Sequence, residues 1–327
     1  MNSPPFSIVI PTHNRASLVE RALRSVFMQD VGGCEVIVVD DGSVDSTPQV
    51  LSRLQSAACR IIRNDVSRGV SASRNCGVAA ATGDLITFLD DDDELRPGAM
   101  AALRRYRDNY PQLSFFWGGR LIREKDANGR LLSIREDLWR YVPGEGFDRD
   151  FLSLALEIAT NCAFTIRRSV FMEIGGFDEQ LRVSEDRDLF ISLARRGYLG
   201  AAVPEVLIEV DEHLKNSLSR SVGVQLGPDT DLRIIEKHRE YLDLPQCHAF
   251  VDEYLLTIFA GYLQAGNRRG AMRILDKLGQ RGALDRRVLR KYLRHAPEFR
   301  ALKTFFGYDH LRRLRNRLSH DVVKPRR

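Results

Sequence analysis

Four carboxylates in a row, Asp90-Asp91-Asp92-Asp93, follow the apolar run Leu85-Ile-Thr-Phe-Leu89. That run has the length and composition of a strand buried on both faces, so the acidic cluster stands at a strand's carboxyl end. Like charges focused there repel one another, and a bound hard cation relieves the repulsion. Asp90 and Asp92, two residues apart, can converge on one divalent ion and leave its other positions to phosphate oxygens. The competing reading is an acidic turn in which Asp93 or Glu94 precedes a helix starting near Pro97. Two more polar clusters, Thr12–Arg15 and Asp40-Asp41-Gly42-Ser43, follow the apolar runs Phe6–Ile10 and Val36–Val39. A third, Ser184-Glu185-Asp186, opens a segment with helical apolar spacing.

The elements that must hold these groups alternate along the chain. Strands are expected at 6–10, 36–39, 60–63 and 85–89, and helices after Arg15, after Ser43 and from Gly69 to Thr82-Gly83. Such alternation predicts a mainly parallel sheet flanked by helices, with ligands bound outside the carboxyl ends of the strands. All three strand-end clusters fall there. Further on, a helix is expected from Pro97 to about Asn109, then strands at 113–117, 163–167 and 206–210, with His213 just beyond the last. Residues 123–150, charged and carrying Trp139 and Tyr141, read as an irregular insertion. From about Gln225 the pattern is helical and increasingly basic. The expected organisation is therefore an α/β domain over 1–220 and a helical basic region over 221–327.

With 43% hydrophobic and 28% charged residues among 327, the composition is that of an ordinary soluble globular protein. No apolar run reaches the roughly 20 residues of a membrane span, and Met1–Pro5 has no secretory character. Five scattered cysteines form no metal-ligand spacing and fit a reducing compartment, so the cytosol is the expected location. The net charge of +5 is uneven. Residues 281–327 hold 15 Lys/Arg against 4 Asp/Glu, leaving residues 1–280 at −6. A basic tail of this kind points to an acidic surface as partner.

Six stretches, SIVIPTHNR (7–15), VVDDGSVDST (38–47), RGVSASRNCGVAAATGD (68–84), FLDDDDELRPG (88–98), GGFDE (175–179) and SEDRDLFISLARRGY (184–198), occur in one order over residues 6–215. In that order the sequence resembles the inverting GT-A glycosyltransferases of family 2. The resemblance implies a Rossmann-like GT-A fold with a C-terminal helical extension. It also implies a nucleotide-diphosphate-sugar donor, a divalent metal (Mn²⁺ or Mg²⁺) and transfer to an acceptor hydroxyl. On this likeness Asp92, assisted by Asp90, is the expected metal ligand, and Asp91 is expected at a ribose hydroxyl. The register is open by one residue, because the family more often has a non-acidic residue second. Pro11, Thr12, Asn14, Asp41 and Arg74 are expected around the nucleotide, Asp41 accepting from uracil or thymine and Arg74 offering a planar fork to base or phosphate. Asp186 matches the family's general base, and His213 resembles a late metal or phosphate contact; a lone surface histidine is the ordinary alternative.

A phosphatase or nucleotidyltransferase would also use acidic pairs on a metal. Asp93-Glu94-Leu95 lacks the phosphatase context, however, and Pro11-Thr-His-Asn-Arg15 has no phosphate-loop glycine. A non-catalytic sugar-nucleotide-binding protein of the same fold would have no need of Asp90, Asp92 and Asp186 together. In the tail, residues 303–319 set an apolar stripe beside Arg312, Arg313, Arg315 and Arg317. This fits a basic helix at an anionic membrane surface, with a carbohydrate or lipid-linked saccharide as acceptor and the protein peripheral at the cytoplasmic face. It equally fits a helix packed on the domain. Nucleic acid is not an expected partner, since no aromatic–basic interleaving or known module supports it.

Overall fold

The structure, a computed structural model, describes residues 6–282 except 30–32, 57, 127, 142–148, 155, 157, 159–160 and 214–222. Contacts divide the chain into two compact units, Met1–Ser217 and Leu218–Arg327.

Among its described residues the first unit is built on a nine-stranded mixed sheet. Its parallel half comprises β1 (Phe6–Thr12), β2 (Cys34–Asp40), β3 (Cys59–Arg63) and β4 (Leu85–Phe88), in the order β3-β2-β1-β4. The connecting helices are α1 (Ala16–Phe27), α2 (Thr47–Leu54) and α3 (Val70–Ala80). β1, β2 and β4 are mostly apolar because both faces are covered, whereas the edge strand β3 carries Arg60 and Arg63 and buries only Cys59 fully. Ile8, Ile10, Val36 and Val38 join one buried cluster, whereas Val9, Ile37, Val39, Ile86 and Phe88 join the other. Period two sends alternate side chains to opposite layers. α1 buries Val19, Ala22, Leu23 and Val26, a single 3.6-residue stripe. Gly77 of α3 lies so close to β1 that a Cβ there would come within 2.4 Å of Val9 Cγ1. The missing side chain is what seats α3 on the sheet.

Beyond β4 the sheet becomes mixed. β8 (Thr165–Arg167) pairs antiparallel with β4, then come β6 (Phe115–Lys125), β9 (Gly200–His213) and β5 (Asp93–Leu95). β7 (Leu131–Asp137) pairs with the distal half of β6. Three expectations change here. Part of 123–150 forms the β6–β7 hairpin; β7 is exposed at nearly every residue, Leu131, Leu132 and Ile134 included, so it lacks the buried face that marks the other strands. The last strand starts six residues earlier than expected and runs 14 residues along β6. The acidic run itself continues into β5, so Asp93 is a sheet residue. Helices α4 (Ala99–Asn109), α5 (Arg149–Leu154), α6 (Arg168–Glu173) and α7 (Glu185–Arg195) complete the unit.

The second unit is helical over its described part: α8 (Gly223–Lys237), α9 (Arg239–Leu242), a 3₁₀ turn at Pro245–Cys247, α10 (His248–Gln264) and α11 (Arg268–Gln280). Tyr254 and Tyr262 are buried in α10, and their hydroxyls donate to Asp231 and Asp229 of α8. Among the described residues no helix is long and apolar enough to cross a membrane. The basic segment 303–319 lies outside the described residues.

Candidate active site

Four loops meet at the carboxyl ends of β1, β2 and β4. After β1, Asn14 takes a left-handed conformation (φ 54°), and its side-chain oxygen accepts from the backbone N–H groups of Val44 and Asp45. Its own N–H donates to Ser43 Oγ at 2.8 Å, which ties the β1 loop to the β2 loop. Pro11 lies in β1 itself, buried and paired with Val39.

Asp40 and Asp41 end β2, and both are buried. Asp40 accepts from Arg63 and from the Ser43 N–H. Asp41 accepts from Asn64 Nδ2 (2.7 Å), Ser67 Oγ (2.7 Å), and the backbone N–H groups of Arg68 and Gly69. Burial works against the Asp41 carboxylate, but these donors hold it below the usual carboxylate range. Both its oxygens are therefore turned to the 64–69 loop of its own chain. Gly42 (φ 72°) makes this possible, since a Cβ there would meet Ser67 N and Val66 C at 2.9 Å.

The four-carboxylate run separates into distinct roles. Asp91 is 5% exposed, with Oδ2 accepting from Thr12 Oγ1 at 2.7 Å and Oδ1 from Arg15 Nη1 at 2.8 Å. It ties the end of β4 to β1, with both oxygens engaged inside the protein. Burial lifts its carboxyl to about 6 despite the Arg15 charge. Arg15 also donates to Asp92 Oδ2 at 2.9 Å, and Arg21 donates to the Asp92 carbonyl at 2.7 Å. Asp90, Asp92 and Asp93 can each offer an oxygen, with all three within 4.8 Å of one another. Burial raises Asp92 and Asp93; the Asp90 charge adds to both shifts, and those of Asp92 and Asp91 add to the Asp93 shift. Crowded carboxylates raised in this way are what a divalent cation relieves, and a hard oxygen-only donor set suits Mg²⁺ or Mn²⁺. The residues present fit such an ion.

Arg74 joins this cluster to the far wall. It is 3% exposed, and donates from Nη2 to Asp90 Oδ1 at 2.6 Å and from Nη1 to Glu185 Oε1 at 2.8 Å. Its fork thus grips two protein carboxylates. Phe177 lies under its guanidinium at 5.3 Å, which places the Gly175-Gly176-Phe177 turn in the same wall. α7 begins at Glu185. This is the helix start expected; Ser184 before it is left-handed (φ 62°), and its side chain makes no capping bond. Asp186 is half-buried. Burial first, then the Glu185 charge, lift it to about 6, with Arg187 and Arg74 opposing. His213 ends β9, but its side chain lies outside the described residues.

Arg15, Asp93 and Glu185 are the site members that sequence reasoning missed. For Asp93 the signal was present in the unbroken acidic run; nothing in the sequence tied Arg15 to Asp91 or Glu185 to Arg74.

A half-parallel α/β sheet with an acidic cluster at its strand ends and a carboxylate across the cleft defines the GT-A class of sugar transferases. The family model of glycosyl transferase family 2 matches residues 7–175, just over half of the chain, and the chain belongs to that family of glycosyltransferases. It is 35% identical over 151 residues to a GalNAc(5)-diNAcBac-PP-undecaprenol beta-1,3-glucosyltransferase of Campylobacter jejuni, an alignment covering 45% of each protein. It is 31% identical over 194 residues to a colanic acid biosynthesis glycosyl transferase, WcaA, of Escherichia coli, covering 59% of this chain and 67% of that one. The chain therefore spans under half the length of the first of these relatives. In fold it is similar to the mannosyltransferase PcManGT of Pyrobaculum calidifontis, solved with GDP-Man and Mn²⁺ (TM-score 0.56, 18% identity, 99% of this chain and 87% of that one). It is also similar to residues 1–349 of Staphylococcus aureus TarS with UDP-GlcNAc (TM-score 0.51, 17% identity, 86% and 93%).

Proposed function

We propose that the protein transfers a sugar from a nucleoside-diphosphate donor, UDP- or dTDP-linked, to an acceptor hydroxyl with inversion at the anomeric carbon. The acceptor would be a carbohydrate or a lipid-linked saccharide in glycan synthesis. The observation that carries this reading is the Asp90–Arg74–Glu185 bridge, which ties the acidic cluster to the helix turn bearing Asp186. A donor seated at one end and an acceptor at the other would have their reacting atoms between these groups.

Asp90, Asp92 and Asp93 would hold a divalent cation, whose charge would stabilise the departing diphosphate. Asn14, Thr12 and the 64–69 loop, braced by Asp41, would shape the nucleotide wall. Asp186 would take the proton of the attacking hydroxyl. Its carboxyl, near 6, is ionised at neutral pH yet more basic than an ordinary carboxylate, as a general base requires. The names of the Campylobacter and Escherichia relatives, with an undecaprenol-linked substrate and colanic acid biosynthesis, support an acceptor of this class.

Hydrolysis of UDP-glucose, UDP-GlcNAc and dTDP-glucose, followed with and without Mn²⁺, tests the donor and metal together. NMR of a transfer product tests inversion; a retained anomeric configuration would sink the role given to Asp186. For the tail, vesicle co-sedimentation is the measure. The full chain should pellet with anionic and not neutral vesicles, whereas a chain ending near Lys303 should stay in solution. Equal binding by both would remove the basic segment from any membrane role.

A further inference from the structure

We propose that the open pocket beside the β6–β7 hairpin, lined by Arg120, Glu136, Asp137, Leu138 and Trp139, is a saccharide subsite that seats a sugar ring of the acceptor. The inference rests on the glycosyltransferase reading above and assigns that reaction's second substrate to particular residues.

The chemistry of the lining selects the ligand. A sugar ring presents apolar C–H faces and a rim of hydroxyls. Trp139, half-buried, supplies rigid apolar area at little entropic cost. The carboxylates of Glu136 and Asp137 accept from hydroxyls, and the Arg120 guanidinium donates to them. The pocket measures 390 Å³, within the ~300–1,000 Å³ of small-molecule sites. Two carboxylates against one guanidinium disfavour an anion, so the diphosphate donor does not belong here.

The wall is built in advance. Arg120 Nε donates to Asp137 Oδ2 at 2.8 Å and Nη1 to Asn161 Oδ1 at 2.9 Å, while its guanidinium lies 5.5 Å from the centre of the Trp139 ring. Two residues on, Tyr141 stacks on the buried Trp117 at 5.6 Å, and its carbonyl accepts from the Ala202 N–H at 3.0 Å. The segment bearing Trp139 is thus pinned to the sheet, which is the support a recognition surface needs.

The pocket and the acidic cluster belong to the same sheet. Strand register sets Arg120 level with Ile208 of β9 and, across it, with Leu95 of β5, two residues from Asp93. The pocket wall and the last carboxylate of the acidic run are therefore carried by strands two apart in one sheet, β6 and β5, with β9 between them.

The test uses saturation-transfer NMR with the methyl β-glycosides of glucose, galactose, N-acetylglucosamine and N-acetylgalactosamine, run beside acceptor-free donor hydrolysis. At least one glycoside should bind the wild-type protein. Trp139→Ala should weaken it about tenfold, and Trp139→Phe about threefold. Glu136→Ala, at an exposed position that does not bear on folding, should weaken the same glycoside about threefold through one lost hydrogen bond. Donor hydrolysis should be unchanged in all three. Absence of saturation transfer to the wild-type protein from every glycoside, or unchanged affinity in Trp139→Ala and Glu136→Ala, would overturn the subsite. Wild-type protein that binds a glycoside through Trp139 yet hydrolyses no donor would leave the subsite standing and count against the glycosyltransferase reading.

Discussion

Replacing Arg74 by methionine keeps most of the side chain's length and removes its charge. Two carboxylates then lose their partner, Asp90 at 2.6 Å and Glu185 at 2.8 Å. Breaking a buried ion pair by deleting one member costs about 3–5 kcal/mol, because the remaining charge is left uncompensated. Here the Asp90 side chain is 26% exposed and that of Glu185 is 13%, so water reaches both in part. The lower end applies, about 3 kcal/mol, which in a unit of this size lowers Tm by roughly 6–12 °C. A second effect is independent of stability. The Arg74 charge helps keep Asp186 ionised, and without it the Asp186 carboxyl rises further above about 6. A base must be deprotonated to act, so the acid limb of the kcat/KM profile should move to higher pH in Arg74→Met. The measurements are urea denaturation of wild type and variant in EDTA, then donor-to-acceptor rates from pH 5 to 8. A stability loss below about 1 kcal/mol together with an unmoved acid limb would refute the bridge as a structural and electrostatic link.

Asp186→Asn should leave UDP affinity within about twofold while transfer falls by about 10²–10⁴, read by isothermal titration and initial rates. Asp92→Asn should weaken UDP binding in Mn²⁺ far more than in EDTA; equal weakening in both would remove Asp92 from the metal set. Asp91, raised in the folded state from 3.8 to about 6, contributes stability that is fully present below pH 4 and lost as pH rises through 6. Metal-free wild type should therefore lose up to about 3 kcal/mol relative to Asp91→Asn between pH 4 and 7, measured by denaturation at each pH. A difference that stays constant with pH would show that Asp91 is not held at a raised pKa.

Much of the first unit could be read from its sequence because the relevant signals are local. β1, β2 and β4 announce themselves as short apolar runs, and each hands a polar cluster to the same edge of the sheet. The hairpin strand β7 escaped because its apolar residues, Leu131, Leu132 and Ile134, are exposed and do not alternate regularly with polar ones, so it lacks the pattern of a half-buried strand. Among the site residues, Asp186 and the acidic run were legible as residue types. Their division of labour was not. That Asp91 turns inward to Thr12 while Asp93 joins Asp90 and Asp92 depends on side-chain direction at a strand end, which residue identity does not encode. The Arg74–Glu185 contact spans 111 residues and exists only once α3 and α7 are both docked.

The close seating of Gly77 on Val9 gives the catalytic machinery a mechanical reference. Arg74 lies one turn before Gly77 on the same helix, so the spacing between helix and strand fixes how far its guanidinium reaches. An added methyl at position 77 would have to lift α3 away from the sheet or push β1 aside. Either movement would carry Arg74 with it and change the span across which Asp90 and Glu185 are held. The clearance of a single hydrogen-for-methyl exchange in the interior thus acts as a shim under the active site. A substitution that touches no ligand could detune the reaction while the protein stays folded, and a repacked interior would have to preserve that clearance to keep the site in adjustment.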